Sequence, residues 1–323
     1  MKRVLFCLIV GLPALAQEQS PPKFRSEAPL VILPVAVSDK SGKLVDNIDA
    51  NDFVVLDNGQ PRPAHVDAIG TFRTKMALVI VIQTSGISQS ALLKIDKVGS
   101  LIEGYITGEG SETAVLSVDS DVKLIQPFTT DGSRIRDAFE SLKPSDSARE
   151  AHQLDGIEQA ITMLAQRPAE DRRFILVIGE TRDRGSKRPS SDVMRAAQLA
   201  NATIYTLTYS AYITPFTTKA DELAPSDDGG IMLIVPELAH LAKRNIGQAL
   251  ADSTGGRHLS FNTLHALEGD MVRVGKEVHH QYLISFTPGA DATPEFHTIV
   301  VKVKSDPKLS VHTRSGYWST PAN

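Results

Sequence analysis

Two stretches of the chain are apolar at every position instead of alternating: Met-Ala-Leu-Val-Ile-Val-Ile at 76–82 and Phe-Ile-Leu-Val-Ile at 174–178. A strand is apolar on both sides only where both faces of its sheet are covered, so each run predicts a buried parallel strand. The first run ends in Gln83-Thr-Ser-Gly86 and the second in Gly179-Glu-Thr181. Polar ends of such strands open into the crevice that doubly wound sheets use for binding. Between and beyond them the spacing becomes helical. Leu92, Ile95, Val98 and Ile102 predict a helix over about 89–106, and further helices are expected near 133–142 and 152–166. Another follows the Ser190-Ser191 cap as far as Asn201, one opens at Pro236 and ends at Thr254-Gly-Gly256, and the last covers 264–280. Residues 113–118 and 122–125, joined by Asp119-Ser-Asp121, predict a hairpin that adds one antiparallel edge strand. With strands at 203–207 and 257–261, the alternation predicts an α/β class fold: a doubly wound, mostly parallel six-stranded sheet.

The two ends read differently. Residues 31–37 and 53–56, each followed by a Gly-containing polar turn, suggest a small antiparallel sheet, and 282–286, 297–304 and 309–313 are again strands. Because insertion of one domain into another favours neighbouring termini, the ends are expected to pair into one small β-sandwich. The resulting scheme is a signal peptide at 1–16, a flexible leader at 17–28, an N-terminal β segment at 29–72, an α/β domain at 73–281, and a C-terminal β segment at 282–320 that pairs with 29–72.

Composition adds a compartment. Lys2-Arg3, the apolar run 4–12 and Ala14-Leu-Ala16 read as a secretory signal peptide, which implies an extracytoplasmic chain, secreted or periplasmic. No later segment is long enough to span a membrane, so no transmembrane segment is expected after cleavage. The sole cysteine, Cys7, lies in that run, leaving no thiol or disulfide framework. The formal charge of −4 over 323 residues becomes −4 − 2 = −6 without Lys2 and Arg3, which argues against nucleic acid as a partner.

The turn after the first strand, Gln83-Thr-Ser-Gly-Ile87, resembles the Asp-x-Ser-x-Ser signature of von Willebrand factor type A domains. In that family the signature holds a divalent ion for ligand capture. Gln83 stands at the aspartate position and Ile87 at the second serine, so Ser85 alone remains. The segment 176–186 resembles the family's second metal loop, with Glu180 at an aspartate position. Val37-Ser-Asp-Lys-Ser-Gly-Lys-Leu-Val45, Ser253-Thr-Gly-Gly-Arg257, Tyr282-Leu-Ile-Ser-Phe-Thr-Pro288 and Gly316-Tyr-Trp318 resemble a bacterial extracytoplasmic group of such proteins. The resemblance covers nearly all of the chain beyond the leader. It implies the same α/β fold and a role in binding.

Magnesium requires six hard oxygens in near-octahedral geometry. Gln83 offers a neutral amide, Ser85 one hydroxyl, Ile87 nothing and Glu180 a carboxylate one methylene longer, while Ala151 falls where a threonine hydroxyl is expected. The site is therefore expected to be a degenerate metal-ion-dependent adhesion site without a cofactor, its Gln83 bonded to Glu180 or to the backbone. A remodelled magnesium or manganese site would draw on Ser85, Glu180 and Asp183. Elsewhere, His279 and His280 are adjacent on a helix and point about 100° apart, which suits helix-end histidines better than a metal pair. Arg244 stands one turn after His240, so no zinc-protease helix is present, and no Walker loop, dinucleotide glycine pattern or Gly-x-Ser-x-Gly elbow occurs.

The connection 210–235 is too long for an ordinary loop, and it leaves the carboxyl end of a strand. Tyr209, Tyr212, Ile213 and Phe216 give it anchors of the kind found in interaction hot spots. The candidate ligand-binding set is thus Gln83, Ser85, Glu180, Tyr212 and Phe216. The expected function is non-catalytic capture of a protein or extracellular ligand by loops at the carboxyl end of the sheet. Metal-dependent adhesion through a rebuilt site, a hydrolase using Glu180 or Asp183 with a histidine such as His152, and an envelope scaffold are the alternatives.

Overall fold

The computed structural model describes residues 30–67, 75–85, 102, 106, 110–145, 150–180, 183–209, 245–261, 263–289 and 296–319. The leader, most of the expected helix at 89–106, the loop 210–235 and the first part, 236–244, of the helix expected to open at Pro236 lie outside the described residues; the helix seen before Gly255 begins at Ile246, with Asn245 as its N-cap. In chain order the first strands are β1 (Val31–Ser38), β2 (Phe53–Asp57), β3 (Gln60–Arg62) and β4 (His65–Asp67). The middle of the chain holds β5 (Met76–Gln83), β6 (Glu112–Val118), β7 (Val122–Thr129), helices α1 (Gly132–Glu140) and α2 (Gln153–Ala165), β8 (Arg172–Gly179), α3 (Ser190–Leu199), β9 (Ala202–Tyr209), α4 (Ile246–Thr254), β10 (His258–Phe261) and α5 (Leu264–His279). The chain closes with β11 (Tyr282–Phe286), β12 (Phe296–Val303), β13 (Ser310–His312) and β14 (Gly316–Trp318).

The six-stranded sheet has the order β10-β9-β8-β5-β6-β7 and is parallel except for the β6/β7 hairpin. Its central strands β5 and β8 lack apolar alternation because each face has its own cover. Leu78, Ile80 and Ile82 of β5 join Leu176, Ile178, Phe139 of α1 and Met271 of α5 in one core. Ala77, Val79 and Val81 face the other way, onto Leu154, Ile157 and Ile161 of α2, Val193 of α3 and Leu250 of α4. Two expectations need correction here. Strand β7 runs on to Thr129, past Pro127, because it is an edge strand with a bulged register, where a missing N–H costs little. Ser190 and Ser191 are not a cap but the first buried turn of α3; Pro189, extended at ψ 148°, occupies the N-cap position without a side-chain bond.

The terminal strands form two four-stranded antiparallel sheets, β13-β1-β11-β4 and β14-β12-β2-β3. The expected pairing of β1 with β2 is not found: β1 joins β11 (Leu33↔Ile284) and β13, whereas β2 joins β12 (Val55↔Val301) and β3. The two N-terminal strands thereby lie in opposite layers, and the apolar row Val31, Leu33, Val35 meets Val55, Ile299 and Val301 across one core. Had they shared a sheet, both rows would have needed a separate cover. Phe53 against Tyr282 (ring centroids 4.9 Å) and Phe286 edge-on to Tyr317 (5.5 Å) close that core.

The chain enters the six-stranded sheet at β5, builds β6 and β7 on one side, and returns to place β8 on the other. The order therefore reverses between β5 and β8, which makes their carboxyl ends the topological switch point.

Candidate functional site

The tips of β5 and β8 are in parallel register, Ile82 beside Ile178, so Gln83 arrives next to Gly179 and Glu180. Gln83, Thr84 and Ser85 are all buried. The Gln83 amide is fully engaged. Its Oε1 accepts from the Glu180 N–H (2.9 Å) and from Gln153 Nε2 (2.5 Å), and its Nε2 donates to the Ser85 carbonyl (3.0 Å). The Glu180 N–H is a donor only, so the amide end facing it must be the oxygen. Gln153 Nε2 also donates to the Glu180 carbonyl (3.1 Å), and the two amides together close the gap between the strand tips. Gly179 makes this possible: a Cβ there would lie 2.8 Å from Gln83 Oε1 and 3.0 Å from Gln153 Nε2.

Gln153 is delivered by the first turn of α2. That helix lies close on the sheet because Gly156 faces Val118 and Val81, where a Cβ would come within 2.6 and 3.0 Å of their methyls. Its N-terminus is held by a distant residue. His152 makes no side-chain cap bond, and instead Asp183 Oδ1 accepts the Leu154 N–H (3.0 Å) and the Ser186 hydroxyl (2.6 Å). Burial pushes the Asp183 carboxyl up, against the lowering effect of those hydrogen bonds. Ala151 and Arg184 exchange two backbone hydrogen bonds (2.9 and 3.0 Å), which fastens the loop after β8 to the start of α2. On the other side Ser145 N donates to the Thr84 carbonyl (2.9 Å), and His152 N to the Asp119 carbonyl (3.0 Å).

Of the expected site residues, Gln83 and Glu180 are brought together, the latter through its backbone. The Glu180 carboxylate turns outward to Arg184 (3.4 Å). Ser85 is adjacent, its Oγ buried and without a hydrogen-bond partner. Asp183 serves α2. Tyr212 and Phe216, like Ile87, lie outside the described residues. His152 packs over Gly185 and its ring nitrogens face Glu150 (3.6 Å) and Asp155 (3.7 Å), not Glu180 or Asp183. His280, at the end of α5, reaches Asp46 (3.0 Å).

Among the described residues the donor set does not fit a divalent cation. One buried hydroxyl is free, but the amide oxygen at the signature's first position already takes two N–H donors. The carboxylates belong to an arginine and to a helix end. Sequence reasoning missed Gln153. Its only signal is a long amide immediately before the apolar Leu154, Ile157 and Ile161 of a buried helix face, where a solvated residue would otherwise be expected.

No family model and no curated protein matches the chain. Among solved structures, an aerotolerance-related membrane protein from Bacteroides fragilis is 13% identical over 62% of this chain and 99% of its own, with a TM-score of 0.44. BatB from Bacteroides thetaiotaomicron is 12% identical over 62% and 99%, with a TM-score of 0.42. A von Willebrand factor type A protein from Catenulispora acidiphila is 12% identical over 92% and 65%, with a TM-score of 0.46. These likenesses are of fold alone. The chain's own strand order, antiparallel edge strand and switch point show a doubly wound, mostly parallel α/β fold.

Proposed function

We propose that the protein is a secreted or periplasmic, non-catalytic binding module that captures a protein or other extracellular ligand through the loops at the carboxyl end of its six-stranded sheet, without a divalent ion. One observation supports this reading: the Gln83 amide oxygen, at the signature's first position, already accepts from Gln153 and from the Glu180 N–H. An interaction there must rest on surface loops, because the crevice floor presents amides already paired with one another. The aromatic and apolar residues of the segment after β9, Tyr212 and Phe216 among them, are the contact residues of this reading. The N-terminal charge and apolar pattern supports export, and no helix among the described residues is long and apolar enough to cross a membrane.

Calorimetric titration with magnesium and manganese tests the cation-free part. The natural chain is expected to show no heat of binding, and Gln83→Asp/Ile87→Ser is expected to acquire it. Micromolar binding by the natural chain would replace this reading with metal-dependent adhesion.

A further inference from the structure

The opposite end of the same sheet holds a cavity of about 230 Å³ between the sandwich and the first residues of β8 and β9. One wall is the outward face of the β13-β1-β11-β4 sheet. Leu30, Ile32, Pro34 and Leu283 point there because their neighbours Val31, Leu33 and Ile284 point into the sandwich core. Leu30 is 51% exposed, a large apolar side chain left uncovered at the mouth. The other wall carries Arg172, Arg173 and Arg314.

The arginines are the unusual feature. Arg314 is 3% exposed, and its one hydrogen bond is a long contact from Nη1 to the Gln198 carbonyl (3.4 Å); its Nε has no partner. Arg173 donates to the Ala200 and Arg167 carbonyls (both 3.0 Å) and again leaves a buried Nε unpaired. Arg172 donates to the Val278 carbonyl (2.9 Å) and to Gln281 (3.0 Å). Among the described residues no carboxylate lies within 4.0 Å of any of the three. Burial pulls Arg172 and Arg314 down to about 10, against the raising effect of Tyr205 and Tyr317. A guanidinium buried without a counter-charge, as at Arg314, is costly to keep. The two Nε atoms are covered, so an incoming anion would meet the guanidinium ends that line the cavity and offset that cost there.

Asp67, Glu170 and Asp171 also line the cavity. Asp67 is engaged by His65 (2.8 Å), Glu170 is exposed at the rim, and half-buried Asp171 makes no ion pair within 4.0 Å among the described residues, so the three disfavour multiply charged ligands. The volume falls below the roughly 300–1,000 Å³ of drug-sized sites, which restricts the ligand to a small one.

We infer that this junction cavity binds a small singly charged amphiphile, a medium-chain aliphatic carboxylate, with its head on Arg314 and Arg173 and its tail against Leu30, Ile32 and Leu283. The site is independent of the carboxyl-end crevice and of any cation. It is built from both parts of the molecule, so occupancy would fasten the sandwich to the α/β unit.

Octanoate, below its micellar concentration, tests the assignment on the full chain, with octanol and octylammonium as controls. Octanoate is expected to bind in calorimetry and raise the melting temperature, octylammonium to do neither, and octanol to bind at least tenfold more weakly. Arg314→Met is expected to weaken octanoate at least tenfold. Ile32→Trp, which fills the cavity from an outward strand position and does not disturb the buried charge, is expected to abolish binding, and it keeps the test decisive where the arginine variant does not fold. No binding of octanoate, equal binding of all three probes, or undiminished octanoate binding by folded Ile32→Trp would overturn the site.

Discussion

The two ends of the six-stranded sheet handle polar groups in opposite ways. At the carboxyl end, Gln83, Gln153 and the Glu180 backbone satisfy one another within a few ångströms, and among the described residues there the Ser85 hydroxyl is left unpaired. At the amino end, three arginines share a cavity in which every partner they have is neutral. The first arrangement has the character of structure: each group is present because another needs it. The second is costly as it stands, and the proposed anion would offset that cost. The end that carries the recognisable motif is closed, and the end without one is open.

Substitutions of opposite sign give the largest test of this contrast. Gln83→Leu would leave the Glu180 N–H and the Gln153 amide buried without their acceptor, an expected loss of about 2–4 kcal/mol by denaturant unfolding. Adding Gln153→Leu is expected to restore part of it, because removing both partners costs less than orphaning one, and a double-mutant cycle reads that coupling directly. Arg314→Met, in the ligand-free protein, is expected to be neutral or to stabilise by about 1–2 kcal/mol, since it removes an uncompensated charge. If Arg314→Met destabilised as strongly as Gln83→Leu, the amino end would be as self-satisfied as the carboxyl end.

Much of the carboxyl end was legible beforehand for a simple reason. Unbroken apolar runs such as 76–82 are rare outside doubly covered sheets, and the polar residues that stop them mark the strand tips. The pairing of Gln153 with Gln83 was not legible, because the residues are 70 positions apart and a glutamine in a first helical turn carries no pattern. Asp183 as the cap of α2 was hidden similarly: the search for a cap looks at the residue before the helix, which is His152, whereas the carboxylate comes from another loop. Period-two alternation tells which face of β1 is buried but not which strand lies beside it, so the β1/β2 pairing failed while the sandwich itself was found. The cavity at the junction escaped because 31–37 is apolar on both sides, and its sequence does not say what the outward row of Leu30, Ile32 and Pro34 lies against.

Asp183 sharpens the carboxyl end by its pH response. Its folded carboxyl is raised above the ordinary 3.8, with burial the largest cause, so the native state holds a proton that the unfolded chain releases between 3.8 and the raised value. Across that window the contribution of Asp183 to stability falls as pH rises, and at neutral pH it is a penalty partly offset by the bonds to Leu154 and Ser186. Asp183→Asn keeps an oxygen for the Leu154 N–H and removes the titration. The natural chain is therefore expected to gain stability relative to Asp183→Asn on acidification through the window, measured as the difference between their denaturation midpoints at each pH. A difference that grows in the other direction would mean that the helix end stabilises the charged form, as an anion-binding terminus would.

The smallest effect belongs to Glu180→Gln. Its carboxylate is 19% exposed and faces Arg184 at 3.4 Å, an ion pair near the surface worth at most about 1 kcal/mol, and the glutamine retains an oxygen for the same guanidinium. The backbone of residue 180, which does the structural work at the strand tip, is unchanged. Stability is thus expected to shift by no more than about 0.5 kcal/mol, equally in the presence and absence of magnesium or manganese. A shift that appears only with the cation would require the carboxylate to leave Arg184 and join Ser85 around an ion, displacing the Gln83–Gln153 pair. In that case the closed end would be the responsive one.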